Sequence, residues 1–203
     1  MPIALTMRPT AAEADTATAS LPPTQATVAT VGEVLPLGRL TPGCRVTTHT
    51  GQTARVVWLG RRRIPAARLD ATAVLRPVLI RRGALGDGLP ERDLLLSPEQ
   101  RVLFSDRRAR RWFGRAQITV PALQLTFLDG IEQVSGADVL FVHPILGQSA
   151  MIRVNGCWLE AAHLRDPAML DPENAARAEL LRLYPELVTL RGWLPDAPAE
   201  PGR

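Results

Sequence analysis

The chain has 203 residues and a mass of 22.1 kDa, which is room for one domain with tails. Its 46% hydrophobic content excludes wholesale disorder, and its two cysteines exclude a disulfide framework. All 24 basic residues are arginine, set against 20 acids for a net charge of +4, and a guanidinium stays protonated where an ammonium titrates, hence the sequence pI near 10.3.

Residues 1–26 are rich in Ala, Thr and Pro and read as a flexible tail. The first eight residues have no basic n-region and only a short apolar run, so no targeting segment is expected. The longest uncharged stretches, 116–128 and 139–152, fall short of the roughly 18 residues a membrane helix needs, and both contain Pro. The expectation is a soluble, cytoplasmic protein that does not contact a membrane.

From Thr27 the pattern changes to short apolar or alternating runs. They cover 26–31, 45–48, 54–59, 77–80, 93–96, 101–104, 116–120, 139–143 and 151–154. Turn signals separate them: Thr41-Pro42-Gly43, His49-Thr50-Gly51, the stretch 83–90, and Leu128-Asp129-Gly130. Short strands with turns at this spacing predict a mostly β domain. Asn155-Gly156, followed by the run 157–159, predicts a two-residue hairpin. One helix is predicted beyond it. Asp171 caps it, Pro172 takes its first position, and Glu173 suits its positive end. Ala176, Leu180, Leu183 and Leu187 follow helical spacing, and Pro185 ends the regular part. The expected division is a tail at 1–26, a β domain at 27–160, a helical extension at 161–194 and a tail at 195–203.

Charge is uneven along the chain. Residues 38–115 hold 17 Arg against 6 acids, a balance of +11, while residues 116–203 hold 6 Arg against 11 acids, a balance of −5. The densest run places Arg107, Arg108, Arg110 and Arg111 beside Trp112 and Phe113. Arginines beside aromatics can bind phosphates and stack bases. An Arg-only chain also puts such runs on ordinary solvated faces, and the aromatics then belong to the core. Cys44, next to arginine, is a candidate low-pKa thiol, although lone cysteines such as Cys44 and Cys157 usually serve as small hydrophobes. His49, His143 and His163 lack metal-ligand spacing, so no metal and no cofactor is expected. Ser97 lies in a Ser-Pro turn without a nucleophile elbow, and the stretch 83–88 lacks the phosphate-loop spacing.

Several segments taken in order resemble the bacterial Hint family, the hedgehog/intein-type autoprocessing fold. Leu40-Thr41-Pro42-Gly43-Cys44-Arg45-Val46 is similar to its Leu-x-Pro-Gly-Asp-x-Val turn. Val57-Trp58-Leu59-Gly60-Arg61-Arg62 is similar to its Trp-Ile/Leu-Gly-Arg strand. Leu75-Arg76-Pro77-Val78, Gly83-Ala84-Leu85-Gly86 and Asp93-Leu94-Leu95-Leu96-Ser97-Pro98 resemble the approach to its second catalytic block. The stretch 139–158, with His143, resembles its late block, and the helix at 170–187 the segment that often follows. The resemblance spans residues 27–187 and implies a horseshoe-like β fold with a C-terminal helix.

It also implies a chemistry. A Cys or Ser at the domain start attacks the preceding carbonyl, a His in the second block assists the scissile amide, and donors hold the oxyanion. Counted back from Gly43, the nucleophile falls near Ser20 or Leu21, where Ser20 is the only replacement for Cys. The second block has Ser97 and then Gln100 in the place of its His. A late-block His gives way to Gln148-Ser149-Ala150, and His143 remains. Losing the acid/base alone costs roughly 10²- to 10⁴-fold. Ser20, Ser97, Gln100 and His143 therefore mark the positions of a site expected to be inactive. The expected function is a structural or protein-interaction module with an unknown protein partner. Self-cleavage through Ser20 with His143 as proton donor ranks second. Nucleic-acid binding through Arg107–Arg111 ranks third.

Overall fold

The computed structural model describes residues 3–6, 26–163, 171 and 173–187, with side chains from Ala26 onward. In chain order the strands are β1 (Ile3–Thr6), β2 (Thr27–Ala29), β3 (Val34–Pro36), β4 (Arg45–Thr47), β5 (Thr53–Ile64), β6 (Val78–Ile80) and β7 (Leu94–Leu96). They continue as β8 (Arg101–Phe104), β9 (Ile118–Pro121), β10 (Ile131–Gln133), β11 (Val139–Leu146), β12 (Ala150–Val154) and β13 (Cys157–His163). The helices are α1 (Ala66–Ala71), α2 (Arg107–Phe113) and α3 (Ala175–Leu183). The strands join in one sheet with the path β10-β6-β7-β1-β11-β13-β12-β2-β3, from which β4, β5, β8 and β9 branch.

β11 organises this sheet. It pairs antiparallel with β1 and with β5, then turns its last residues parallel to β13, Ile145 opposite Ala162. The register with β5 shifts between Ile145 and Leu146, an irregularity that bends a strand pair. β11 is buried on both faces, and its side chains alternate between two cores. Val142 and Leu146 join Val46, Val56, Leu96, Phe104 and Leu159 on one side. Val139, Phe141 and Ile145 join Ile64, Leu79 and Leu95 on the other, under Leu180, Leu183 and Tyr184 from the α3 region. The result is the expected mostly β, horseshoe-like fold with a C-terminal helix.

Asn155 and Gly156 form the tip of the β12–β13 hairpin with φ of 45° and 83°, the two left-handed positions the turn requires. Arg101–Phe104 is a strand as read. Five strands and helices were not anticipated: β1, β3, β10, α1 and α2. The tail reading of 1–26 needs correction at Ile3–Thr6, which pairs with both β7 and β11. The cap of the last helix also differs. Asn174, not Asp171, caps α3 by accepting from the Arg177 N–H. Asp171 instead accepts from the Glu173 N–H and shapes the preceding turn. Residues 188–203 lie outside the described residues.

Candidate functional site

Ser97, Gln100 and His143 all lie in the interior, each with no measurable exposure. Ser97 leaves the end of β7, and His143 is the middle of β11. Ile3 of β1 is opposite both Leu96 and Val142, so Ser97 and His143 stand one step further along on the two strands that flank β1. Ser20, the candidate nucleophile, falls outside the described residues.

Ser97-Pro98-Glu99-Gln100 is a tight turn closed by the Gln100 N–H on the Ser97 carbonyl, with Pro98 fixing the first corner. The Gln100 side chain then locks the turn to the sheet. Its Nε2 donates to the Arg101 carbonyl at 3.0 Å and to the Glu160 carbonyl on β13 at 2.9 Å. Its Oε1 has no partner among the described residues. Both amide protons are thus committed to backbone, and an amide does not exchange a proton near neutral pH.

Sequence reasoning missed the residue that closes the turn from outside. Glu179 of α3 is 2% exposed, and its Oε2 accepts the Glu99 N–H at 3.1 Å. Burial pushes its carboxyl up to about 7, while the neighbouring Ser97 hydroxyl and the Glu99 amide pull the other way. The Ser97 hydroxyl acts on the carboxyl as a close neighbour, although Ser97 Oγ and Glu179 Oε1 make no hydrogen bond of regular geometry among the described residues. A signal for Glu179 was present in the sequence. It falls on the helical stripe of Ala176, Leu180 and Leu183, where a solvated glutamate has no place.

The other wall of the cluster is aromatic. His143 lies opposite Gly60 in the β5–β11 pair, with Trp58 at 6.5 Å and Tyr184 at 6.0 Å between ring centroids. Trp58 and Tyr184 meet edge to face at 5.3 Å, and the Tyr184 hydroxyl donates to the Phe141 carbonyl. A Cβ on Gly60 would collide with the Trp58 ring and come within 2.5 Å of Tyr184 Cε1. The Trp-Leu-Gly-Arg sequence thus has a packing reason: the glycine makes space for two rings against His143. Arg62 braces this end, donating to the Leu183 carbonyl and pairing with Glu186 at 2.9 Å.

The cysteines take no part. Burial raises Cys157 to about 12, which keeps it a protonated thiol. Cys44 is lowered by the Thr41 hydroxyl at 3.3 Å and the Thr41 backbone, not by arginine as expected. A polar cleft of about 420 Å³ opens elsewhere, lined by His49, Gln52, Gln148, Ser149 and Glu160 among others, and none of Ser97, Gln100 and His143 reaches it. The arginine run is a third location. Arg108 is consumed by Asp106 and the Ala84 carbonyl, whereas Arg107, Arg110 and Arg111 are exposed. Core packing holds for the half-buried Phe113 but not for Trp112, which is 55% exposed.

The Ser97–Gln100 turn and His143 thus flank β1 in a curled β domain, with α3 packed against its second core. The family model described as Hint domain matches residues 24–166, and the chain belongs to that family. No curated protein matches the chain.

Proposed function

We propose that this Hint-family domain has lost self-cleavage and serves as a structural or protein-interaction module. The observation that carries the reading is the commitment of Gln100. The position that holds the assisting histidine in the family pattern holds an amide whose two protons are bonded to Arg101 and Glu160 carbonyls. Gln100 is a structural clamp there and not a proton donor to a scissile bond. Burial supports the same reading, because Ser97, Gln100 and His143 have no exposure, with Glu179 of α3 on the Glu99 N–H of the turn and Tyr184 against His143. We take 27–160 as the domain proper and 161–194 as an extension, of which α3 packs against the second core. Two free thiols fit a reducing, cytoplasmic compartment. Among the described residues no helix is long and apolar enough to cross a membrane.

The test is the intact mass of freshly purified full chain, followed for a day with and without hydroxylamine. A steady 22.1 kDa species, allowing for removal of the initiator Met, is the expected result. Time-dependent release of the segment ahead of Ser20 or Leu21, abolished by Ser20→Ala, overturns the reading in favour of self-cleavage assisted by His143.

A further inference from the structure

Four aromatic rings form a chain of contacts from the core to the surface. Phe104, fully buried, meets Phe113 at 6.4 Å, Phe113 meets Phe127 at 6.3 Å, and Phe127 meets Trp112 at 5.4 Å. The outer end is open, with Trp112 55% exposed, Phe127 51% and Leu123 37%. The backbone beneath is well anchored. Ala109 holds α2 to the core, and Ala122 and Leu125 hold the 3-10 turn that leads to Phe127. Single exposed apolar side chains are ordinary, but two aromatics in mutual contact on a fixed platform mark a contact surface.

Arginine outnumbers acid around the platform, where Asp106 caps α2 and is taken by Arg108, and Asp129 is exposed beyond Phe127. Arg107, Arg110 and Arg111 on α2 and Arg115 beyond the Gly114 cap are exposed, and none joins an ion pair among the described residues. The Arg111 guanidinium lies 5.5 Å from the centroid of the Trp112 ring, which holds one donor fork beside the apolar surface.

We infer that this patch docks an acidic protein segment, in which carboxylates pair with the free arginines and an apolar side chain covers Trp112 and Phe127. The inference deepens the interaction-module reading, rests on it, and names the class of partner. Guanidinium forks match carboxylates bidentately, and tryptophan and arginine are both enriched among the residues that carry the energy of a protein interface. The geometry favours protein over nucleic acid. The Trp112 and Phe127 planes are inclined at 65°, and Arg111 already lies over Trp112, so there is no parallel stack of open ring faces for successive bases. Arg107 to Arg111 spans about 6 Å along the helix, enough for a few carboxylates and too short to track a phosphate backbone.

The experiment is fluorescence anisotropy of a labelled twelve-residue Glu/Leu peptide titrated with the full chain at low salt. A Lys/Leu peptide and a twelve-nucleotide oligo-dT are titrated in parallel. The Glu/Leu peptide is expected to bind and the Lys/Leu peptide not to. The double variant Arg110→Glu, Arg111→Glu should weaken binding at least tenfold and Trp112→Ala at least fivefold. Arg55→Glu, a charge reversal on a different surface, should change it less than twofold. These substitutions are at exposed positions, and unchanged circular dichroism confirms the fold of each variant. Absence of Glu/Leu binding, equal binding by all variants, or tighter binding of oligo-dT overturns the inference. A chain that keeps its mass yet fails to bind sinks only this surface, whereas a chain that cleaves itself sinks the module reading.

Discussion

Glu179 interrupts an otherwise apolar helix stripe and carries a titratable group into the interior. Its carboxyl titrates near 4.5 when solvated and near 7 in the fold, chiefly through burial. The folded chain therefore binds more protons than the unfolded chain between those values, and stability falls as pH rises from 4.5 to 7. The penalty levels off above 7 at roughly 3 kcal/mol. Glu179→Gln keeps an oxygen for the Glu99 N–H and removes the charge. We expect it to raise the melting temperature at pH 8 and leave it nearly unchanged at pH 4.5, measured by thermal denaturation followed by circular dichroism. An equal shift at both values, or no gain at pH 8, contradicts buried ionisation as the cause. The candidate site was legible only in part at this scale. Ser97, Gln100 and His143 were found by motif order, which reports spacing along the chain. Glu179 and Tyr184 complete the cluster through packing of a helix distant in sequence, and no local spacing encodes that contact.

Asn155 shows how a single residue secures an element. Its backbone takes the left-handed turn position, and its buried side chain accepts from both the N–H and the hydroxyl of Thr27 while donating to the Asp93 carbonyl. Asn155→Ala loses these bonds and puts a Cβ residue without local compensation in a left-handed conformation. A loss of about 2–4 kcal/mol is expected in urea unfolding. Asn155→Gly relieves only the conformational share and should recover about 1 kcal/mol of it. If Ala and Gly are equally mild, the side-chain bonds carry no weight. The hairpin was legible because its turn chemistry is contained in two adjacent residues. The strand at Arg101–Phe104 was legible for a similar reason, since its alternation is complete within four residues. β3 and β10, three residues each, are too short to show a period. α2 was hidden by its charge: Asp106 caps it and Gly114 ends it, yet the arginines between them read as a patch. β1 is four residues at the head of an Ala/Thr/Pro-rich stretch, too short to show a period, and gains its place from the two strands beside it.

The two cores of the molecule are not independent. β11 contributes Val142 and Leu146 to one and Phe141 and Ile145 to the other, so neither can come apart without disturbing the strand they share. Urea unfolding should therefore give one transition, with far-ultraviolet circular dichroism and tryptophan fluorescence coinciding. Trp58 reports the second core and Trp158 the β12–β13 hairpin, so separated midpoints would show that the cores melt apart. The same connectedness governs how force enters the domain. Tension carried by the N-terminal segment arrives first at β1, which lies inside the sheet between β7 and β11. Through those two neighbours it spreads to β6, β5 and β13. A pull on the N-terminal side thus loads several strands together in shear and does not peel one strand from an edge, which makes the domain a firm mechanical anchor for whatever that segment carries.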